Sequence, residues 1–297
     1  MAARLLSLRN SHLLQHQILS PSTKFFSGFP PTIHKSISFS TIRSITTTPK
    51  MEGSGITDKE ESKKKIFVAG ATGATGKRVV QQLLAKGFAV KAGVRNIEKA
   101  KNTFSDNPSL EFVKADVTEG SAKLAEAIGN DSKAVICATG FSRSWDLTQP
   151  WKVDNLGTVN LVDACQKTGV NRFILVSSIL VNGAAMGQLL NPAYIFLNVF
   201  GLTLIAKLQA ENYIRKSGIN YTIIRPGGLK NDPPSGNIIM EPEDKLSGEA
   251  ISRDQVAEVA VEALDIPESS FKVVEIVSRS EAPKRSIKDL FASIKQH

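Results

Sequence analysis

The chain has 297 residues, 37 Lys+Arg against 28 Asp+Glu and a formal charge of +9, yet six of its basic residues fall in the first 51 positions. The remaining 31 basic and 28 acidic residues nearly cancel and form no aromatic-interleaved basic stripe, so no nucleic-acid partner is expected. Histidine occurs only at positions 12, 16, 34 and 297, which excludes Ser-His-Asp hydrolysis, Cys-His chemistry and His-based zinc sites from the body and predicts no metal centre.

Residues 1–51 carry Arg4, Arg9, Lys24, Lys35, Arg43 and Lys50, no acidic residue, and fifteen Ser or Thr within the first fifty. That composition predicts an organellar transit peptide, plastid rather than mitochondrial, cut between Arg43 and Glu52. The mitochondrial alternative rests on Arg4 and Arg9 sharing one helical face. Residues 52–64 read as a flexible charged linker, and residues 65–297 as one domain. About 245 residues are enough for a single α/β unit with a sizeable core. Cys137 and Cys165 fall in a predicted strand and a predicted helix and read as buried thiols of a reducing compartment.

The organising stretch is Lys65 to Arg95. A short apolar run, Ile66-Phe67-Val68-Ala69, leads into Gly70-Ala-Thr-Gly73-Ala-Thr-Gly76, and then Val79, Val80, Leu83 and Leu84 recur at helical spacing up to Gly87. Strand, glycine-rich turn and helix together form the context in which glycines admit a pyrophosphate against a helix N-terminus. Gly70, Thr72, Gly73, Ala74, Thr75 and Gly76 are therefore expected to bind a dinucleotide. The second strand, Phe88 to Arg95, ends on a guanidinium suited to a phosphate. A carboxylate there would suit the ribose hydroxyl of NAD, so Arg95 favours NADP(H).

Strands and helices then alternate. Helices are predicted over Asn96–Phe104, Ser121–Ile128 and Trp151–Thr168, and strands over Leu110–Ala115, Ala134–Ala138 and Arg172–Val176. Such alternation implies parallel strands with right-handed crossovers, a doubly wound sheet of the Rossmann kind, with ligands beyond the strand ends. Ala138, Thr139 and Gly140 follow the fourth strand, where bare backbone can pass under a cofactor. Gly157 in mid-helix costs about 1 kcal/mol against Ala, so a close packing contact is expected there. Met186 to Ala206 is almost wholly apolar and uncharged. It reads as a long core helix, with a dimer interface or an exposed lip against a lipid surface as the alternatives. A helix to Ser217, a strand Asn220–Ile224, a substrate-side excursion over Asn231–Ser247, a helix capped by Ser252 and Gln255, a strand Lys272–Val277 and a helix from Ser286 complete the domain.

The Gly70, Gly73, Gly76 spacing resembles the short-chain dehydrogenase/reductase superfamily, especially its extended and atypical branches. The whole body is similar to plastid NAD(P)-binding proteins related to the dehydrogenase-like subunit of the import translocon. The resemblance implies that Asp116 and Val117 lie against the adenine, that Ser178 is the superfamily's serine, and that Lys207 binds the nicotinamide ribose. It also implies that Pro226 and Gly227 approach the carboxamide. Asp154 stands where many extended members carry Asn, and Thr203 stands where the superfamily carries its acid Tyr. A threonine hydroxyl is too weak an acid for that role near neutral pH, which leaves Tyr194 as a substitute acid beside Ser178 and Lys207. The expected activity is an NADP(H)-dependent oxidoreductase on a small or lipophilic compound, in the chloroplast stroma or peripheral to the thylakoid or plastoglobules. The alternative is a catalytically silent NADPH-sensing binding protein.

Overall fold

The computed structural model describes residues 63–140 and 146–295. The expected transit peptide and most of the linker lie outside the described residues. The chain opens with β1 (Lys65–Ala69), α1 (Ala74–Ala85), β2 (Ala89–Val94), α2 (Ile97–Lys101) and β3 (Leu110–Lys114). A 3-10 turn (Val117–Glu119), α3 (Ser121–Ile128) and β4 (Ser132–Cys137) follow. Next come a π-helical segment (Trp151–Leu156), α4 (Gly157–Thr168), β5 (Arg172–Val176), α5 (Pro192–Val199) and α6 (Thr203–Lys216). The last part comprises β6 (Asn220–Pro226), β7 (Gly228–Lys230), β8 (Asn237–Pro242), β9 (Ala250–Ser252), α7 (Arg253–Glu262), β10 (Lys272–Arg279) and α8 (Ile287–Ser293).

The main sheet runs β3-β2-β1-β4-β5-β6-β10-β8, parallel throughout except for the antiparallel β10–β8 pair, and β7 and β9 form a small separate ribbon. This is the doubly wound α/β arrangement, and the strand order reverses beside β1. One face of the sheet is covered by α1, α7 and α8, with Val79, Leu83, Val256, Val259, Leu290 and Phe291 in a shared cluster. The other is covered by α3, α4 and α6 around Leu124, Leu161, Cys165, Phe173 and Ile214. Both cysteines are free and buried, and burial pushes both thiols up. The near-continuous apolar strands are what two covered faces demand.

Two expected elements change. The helix expected from Trp151 begins as six π-helical residues and becomes α-helical only at Gly157. The close contact expected at Gly157 is present, since a Cβ there would stand 2.6 Å from Val117 Cγ2. Met186 to Ala206 is not one long core helix. Asn191 caps α5 through its side chain, and the chain then turns at Gly201 and Leu202, both at positive φ, before α6 starts at a bend of 86°. Only Tyr194 of α5 is buried, at 8% exposure, and Leu190, Ile195, Phe196 and Val199 are exposed. No single helix among the described residues is long and apolar enough to cross a membrane. The expected excursion at 231–247 contains the edge strand β8, which sequence reading missed. A third cluster of Ile179, Leu180, Val181, Tyr194, Leu204, Leu246 and Val277 joins the segments after β5 to this excursion.

Candidate functional site

The loop between β1 and α1 is closed by a 3.0 Å hydrogen bond from the Gly73 amide to the Gly70 carbonyl. Gly70 has φ +75°, and a Cβ on it would meet the Ala138 carbonyl oxygen at 2.9 Å. A Cβ on Gly76 would stand 2.1 Å from the Gly70 carbonyl oxygen, so the first turn of α1 lies directly on the loop. Gly73, at the N-cap, supplies no side-chain cap, and the first turn holds no acid. The leading amides and positive helix end thus face outward where Thr72, Gly73 and Ala74 are exposed. These residues fit a pyrophosphate, and larger side chains would fill the cradle. Thr75 is buried beneath it.

Arg95 follows β2 with its guanidinium exposed and no ion-pair partner among the described residues. Asn96 beside it caps α2 by accepting from the Lys99 amide at 2.9 Å. Asp116, after β3, accepts from the Thr118 amide at 2.9 Å and hydroxyl at 2.7 Å, so its carboxylate organises the following turn. Val117 is buried against Gly157, and its carbonyl accepts from Asn160 Nδ2 at 2.8 Å. After β4, the Ala138 amide donates to the Ala69 carbonyl at 3.0 Å, Ala138 and Thr139 are half-buried, and Gly140 is exposed. The loop glycines, Arg95, Asp116 and Ala138–Gly140 thus lie along one ledge at the carboxyl ends of β1 to β4.

Lys207, on α6, reaches the same ledge, where its Nζ lies 2.8 Å from Asp154 Oδ1. Burial alone would lower the Lys207 ammonium, but the Asp154 carboxylate, with smaller contributions from Cys137 and Glu211, raises it, and the net direction is upward from its ordinary value. Asp154 comes from the π-helical segment, whose wider turn carries the carboxylate inward; π segments are frequent at functional sites. Asn155 Nδ2 donates to the Ala206 carbonyl at 3.3 Å and fastens the segment to α6. Ser178 is half-buried at the end of β5, while its neighbour Ser177 is buried and donates to Glu211 Oε1 at 2.6 Å. Thr203 is buried, and its hydroxyl has no hydrogen-bond partner among the described residues. Tyr194 is also buried, with its ring packed against Gly183 in the third cluster.

Sequence reading missed the ionic cluster under this site. Arg225 is 1% exposed and binds Glu211 at 2.7 Å, Asp244 at 2.7 Å and Glu275 at 3.4 Å. Glu275 also accepts from the amides of Asp244, Lys245 and Leu246 at 3.0, 2.9 and 2.6 Å. Asp244 in turn accepts from Asn182 Nδ2 at 2.7 Å. The excursion and the segment after β5 are thereby tied to the sheet. The one available signal was Arg225 itself, an arginine closing an otherwise apolar strand. Pro226 and Gly227, which follow it, are buried; the Pro226 carbonyl accepts from the Ile179 amide at 3.0 Å and the Gly227 amide donates to Ile276 at 2.9 Å.

Comparison with known proteins agrees with this geometry. A family described as NAD(P)H-binding matches residues 70–267. An uncharacterised chloroplastic protein of Arabidopsis thaliana is 67% identical over 288 residues, which cover 97% of this chain and 99% of that one. Protein TIC 62, chloroplastic, of Pisum sativum is 38% identical over 271 residues, covering 83% of this chain but 49% of that protein, so this chain matches about half its length. A putative NAD-dependent epimerase/dehydratase from Bacillus halodurans superposes with a TM-score of 0.65 at 25% identity, covering 78% of this chain and all of that structure. With a glycine cradle, a parallel sheet and a family match spanning most of the described residues, the chain belongs to the NAD(P)H-binding family of Rossmann-fold proteins.

Proposed function

We propose that this chain is an NADP(H)-dependent oxidoreductase of the atypical short-chain dehydrogenase/reductase kind. The observation that carries the reading is the continuous ledge from the Gly70–Gly76 cradle to the Lys207–Asp154 pair, with an exposed guanidinium at Arg95 that has no ion-pair partner among the described residues. A 2′-phosphate beside Arg95 would find a bidentate donor, whereas NAD would find no carboxylate at the end of β2. Bound NADPH supplies a hydride. The chain must then hold the substrate and supply a proton, with Ser178, Lys207 and Tyr194 as the candidate groups. Thr203 at the usual acid position leaves the familiar phenol relay absent.

The substrate is small or lipophilic. Exposed Leu147, Trp151, Leu190, Phe196, Val199 and Leu202 come from the two segments that also carry Asp154 and lead into Lys207. A Cβ on Gly201 would lie 2.1 Å from the Leu147 carbonyl oxygen, which brings those segments together. Large exposed apolar patches mark sites of ligand, membrane or protein contact. The relatives' names and the leader composition support a chloroplast setting, and the apolar collar supports a stromal protein peripheral to a thylakoid or plastoglobule surface. Stopped-flow loss of NADPH absorbance in the presence of plastid extract fractions tests the reading. Turnover in an apolar fraction is expected, and silence across every fraction would overturn it.

The second reading is an NADPH-sensing binding protein without turnover, and Thr203 in place of a phenol favours it. Membrane or partner retention measured at set NADPH/NADP ratios separates the two. A ratio-independent result removes the sensor.

A further inference from the structure

Two of the three apolar clusters flank the sheet; the third lies at the carboxyl ends of its strands, the end at which doubly wound sheets hold their ligands. Ile179, Leu180 and Val181 enter it directly after Ser178, Leu204 enters it one turn before Lys207, and Leu246 and Val277 close it from the excursion and β10. Its cover is α5, whose buried residue is Tyr194 and whose Ile195, Phe196 and Val199 are exposed. This helix hangs between left-handed backbone positions, Gly187 at φ +72° before it and Gly201 and Leu202 at +93° and +59° after it. Hinged segments turn on a few such residues at element ends. At the α6 end, the Leu204 amide donates to Asn198 Oδ1 at 3.1 Å and Gly201 abuts the Leu147 carbonyl, which makes that end a pivot. At the other end Asn191 Nδ2 donates to the Ser247 carbonyl at 3.2 Å. Between them the Tyr194 ring fills a notch at Gly183, where a Cβ would stand 2.4 Å from Tyr194 Cδ2. A helix with so little buried surface opens locally at far lower cost than the whole domain.

We propose that the third cluster is a closed binding chamber for an uncharged lipophilic molecule, with α5 as its hinged flap and Tyr194 as the plug. Withdrawal of the Tyr194 ring leaves a space walled by Leu180, Val181, Leu204 and Leu246. Such walls gain by burying apolar surface and reject a charge that would lose its hydration there. The chamber opens beside the segment that carries Ser178, so its occupant is placed to be the substrate; that assignment rests on the oxidoreductase reading above. Because an occupant binds only while the flap is out, its apparent affinity scales with the open fraction.

The test is a fluorescence titration of the full chain, without NADPH, using the uncharged probe N-phenyl-1-naphthylamine and its charged analogue 8-anilinonaphthalene-1-sulfonate. Gly183→Ala pushes on the Tyr194 ring and raises the open fraction, so the uncharged probe should bind about fivefold or more tightly than to wild type. Tyr194→Leu, a smaller plug, should tighten it in the same direction and is read where Gly183→Ala fails to fold. The double variant Phe196→Ser with Val199→Ser strips the outer side of α5 and should leave the uncharged probe within about twofold of wild type. The sulfonate should bind about tenfold or more weakly than the uncharged probe in every form. Unchanged affinity in Gly183→Ala and Tyr194→Leu would overturn the proposal by showing a fixed core. Loss of the probe from the Phe196→Ser, Val199→Ser variant would place it on the outer surface and overturn the proposal equally, as would equal affinity for the sulfonate or no binding to any form. The titration is independent of the NADPH assay above. Probe binding that follows the plug variants in a protein silent with NADPH would keep the chamber and remove the reductase.

Discussion

Glu211 and Arg225 form a buried ion pair, 2.7 Å from Glu211 Oε2 to Arg225 Nη2, with the side chains 0% and 1% exposed. Burial alone would lower the Arg225 guanidinium, but Glu211 and Asp244 raise it further, so it stays charged. Breaking one partner of such a pair leaves an uncompensated buried charge, which costs far more than the intact pair contributes. Arg225 is the cation shared by Glu211, Asp244 and Glu275, so Arg225→Met, which leaves the Glu211 and Glu275 carboxylates buried without it, should destabilise the protein by about 3–5 kcal/mol in chemical denaturation. The double variant Glu211→Leu with Arg225→Met, which also removes one of the stranded carboxylates, should recover part of that loss. An Arg225→Met effect below about 1 kcal/mol, the range of exposed pairs, would show that the cluster is not holding the site together.

Gly76→Ala and Gly87→Ala separate contact from conformation. At Gly76 the added methyl would strike the Gly70 carbonyl oxygen, whereas at Gly87 nothing lies within 4 Å and only the positive φ of 85° resists. Gly87→Ala should cost about 1–2 kcal/mol and leave dinucleotide affinity intact. Gly76→Ala should cost about 1–3 kcal/mol and also weaken NADPH binding by roughly tenfold or more, because the backbone shift moves the phosphate cradle. Denaturation and fluorescence titration on the same preparations read both quantities.

Asp131 gives a pH dependence with a definite sign. Hydrogen bonds from Lys65 and Lys91, each at 2.6 Å, hold its carboxyl at about 2 against an ordinary 3.8. Because the folded value is the lower one, the contribution is present above about pH 4 and is lost as pH falls toward 2. Thermal unfolding followed from pH 5 to pH 2 should show a steeper acid loss in wild type than in Asp131→Asn. Parallel curves would mean that the contacts are not made in solution.

Leu190 and Tyr194 predict opposite outcomes within one apolar stretch. Leu190 is 88% exposed, so Leu190→Glu should change stability by no more than about 0.5 kcal/mol. Tyr194 is buried against Gly183, and Tyr194→Ala should cost about 3–5 kcal/mol, the range of large aromatic truncations. Melting curves of the two variants check the division of this segment into a packed side and a presented side.

The legible parts of the sequence were those in which local pattern and tertiary role coincide. The alternation of Ile66–Ala69, the glycine turn and Val79–Leu84 specifies β1, the cradle and α1 because backbone sterics and amphipathic spacing act over a few residues. Gly157 announced a contact through its cost in a helix, and Val117 supplies it. The break at Gly201–Leu202 was hidden by uniform apolarity, since a bend placing one side outward depends on what the neighbouring 147–150 segment occupies. The π-helical segment was hidden too, because Trp151–Leu156 has ordinary helical spacing and only its insertion toward Lys207 shows the wider turn. The partners of Arg225 are 14, 19 and 50 residues away in sequence, beyond the reach of any local signal.

The account depends above all on the cradle and Arg95 gripping a phosphorylated nicotinamide dinucleotide. Isothermal titration of wild type and Arg95→Glu with NADPH and NADH tests this most directly. Wild type should bind NADPH at least tenfold more tightly than NADH, and Arg95→Glu should erase that difference by weakening NADPH. Absence of binding heat with NADPH, or a preference for NADH that persists when the charge at position 95 is reversed, would contradict the account.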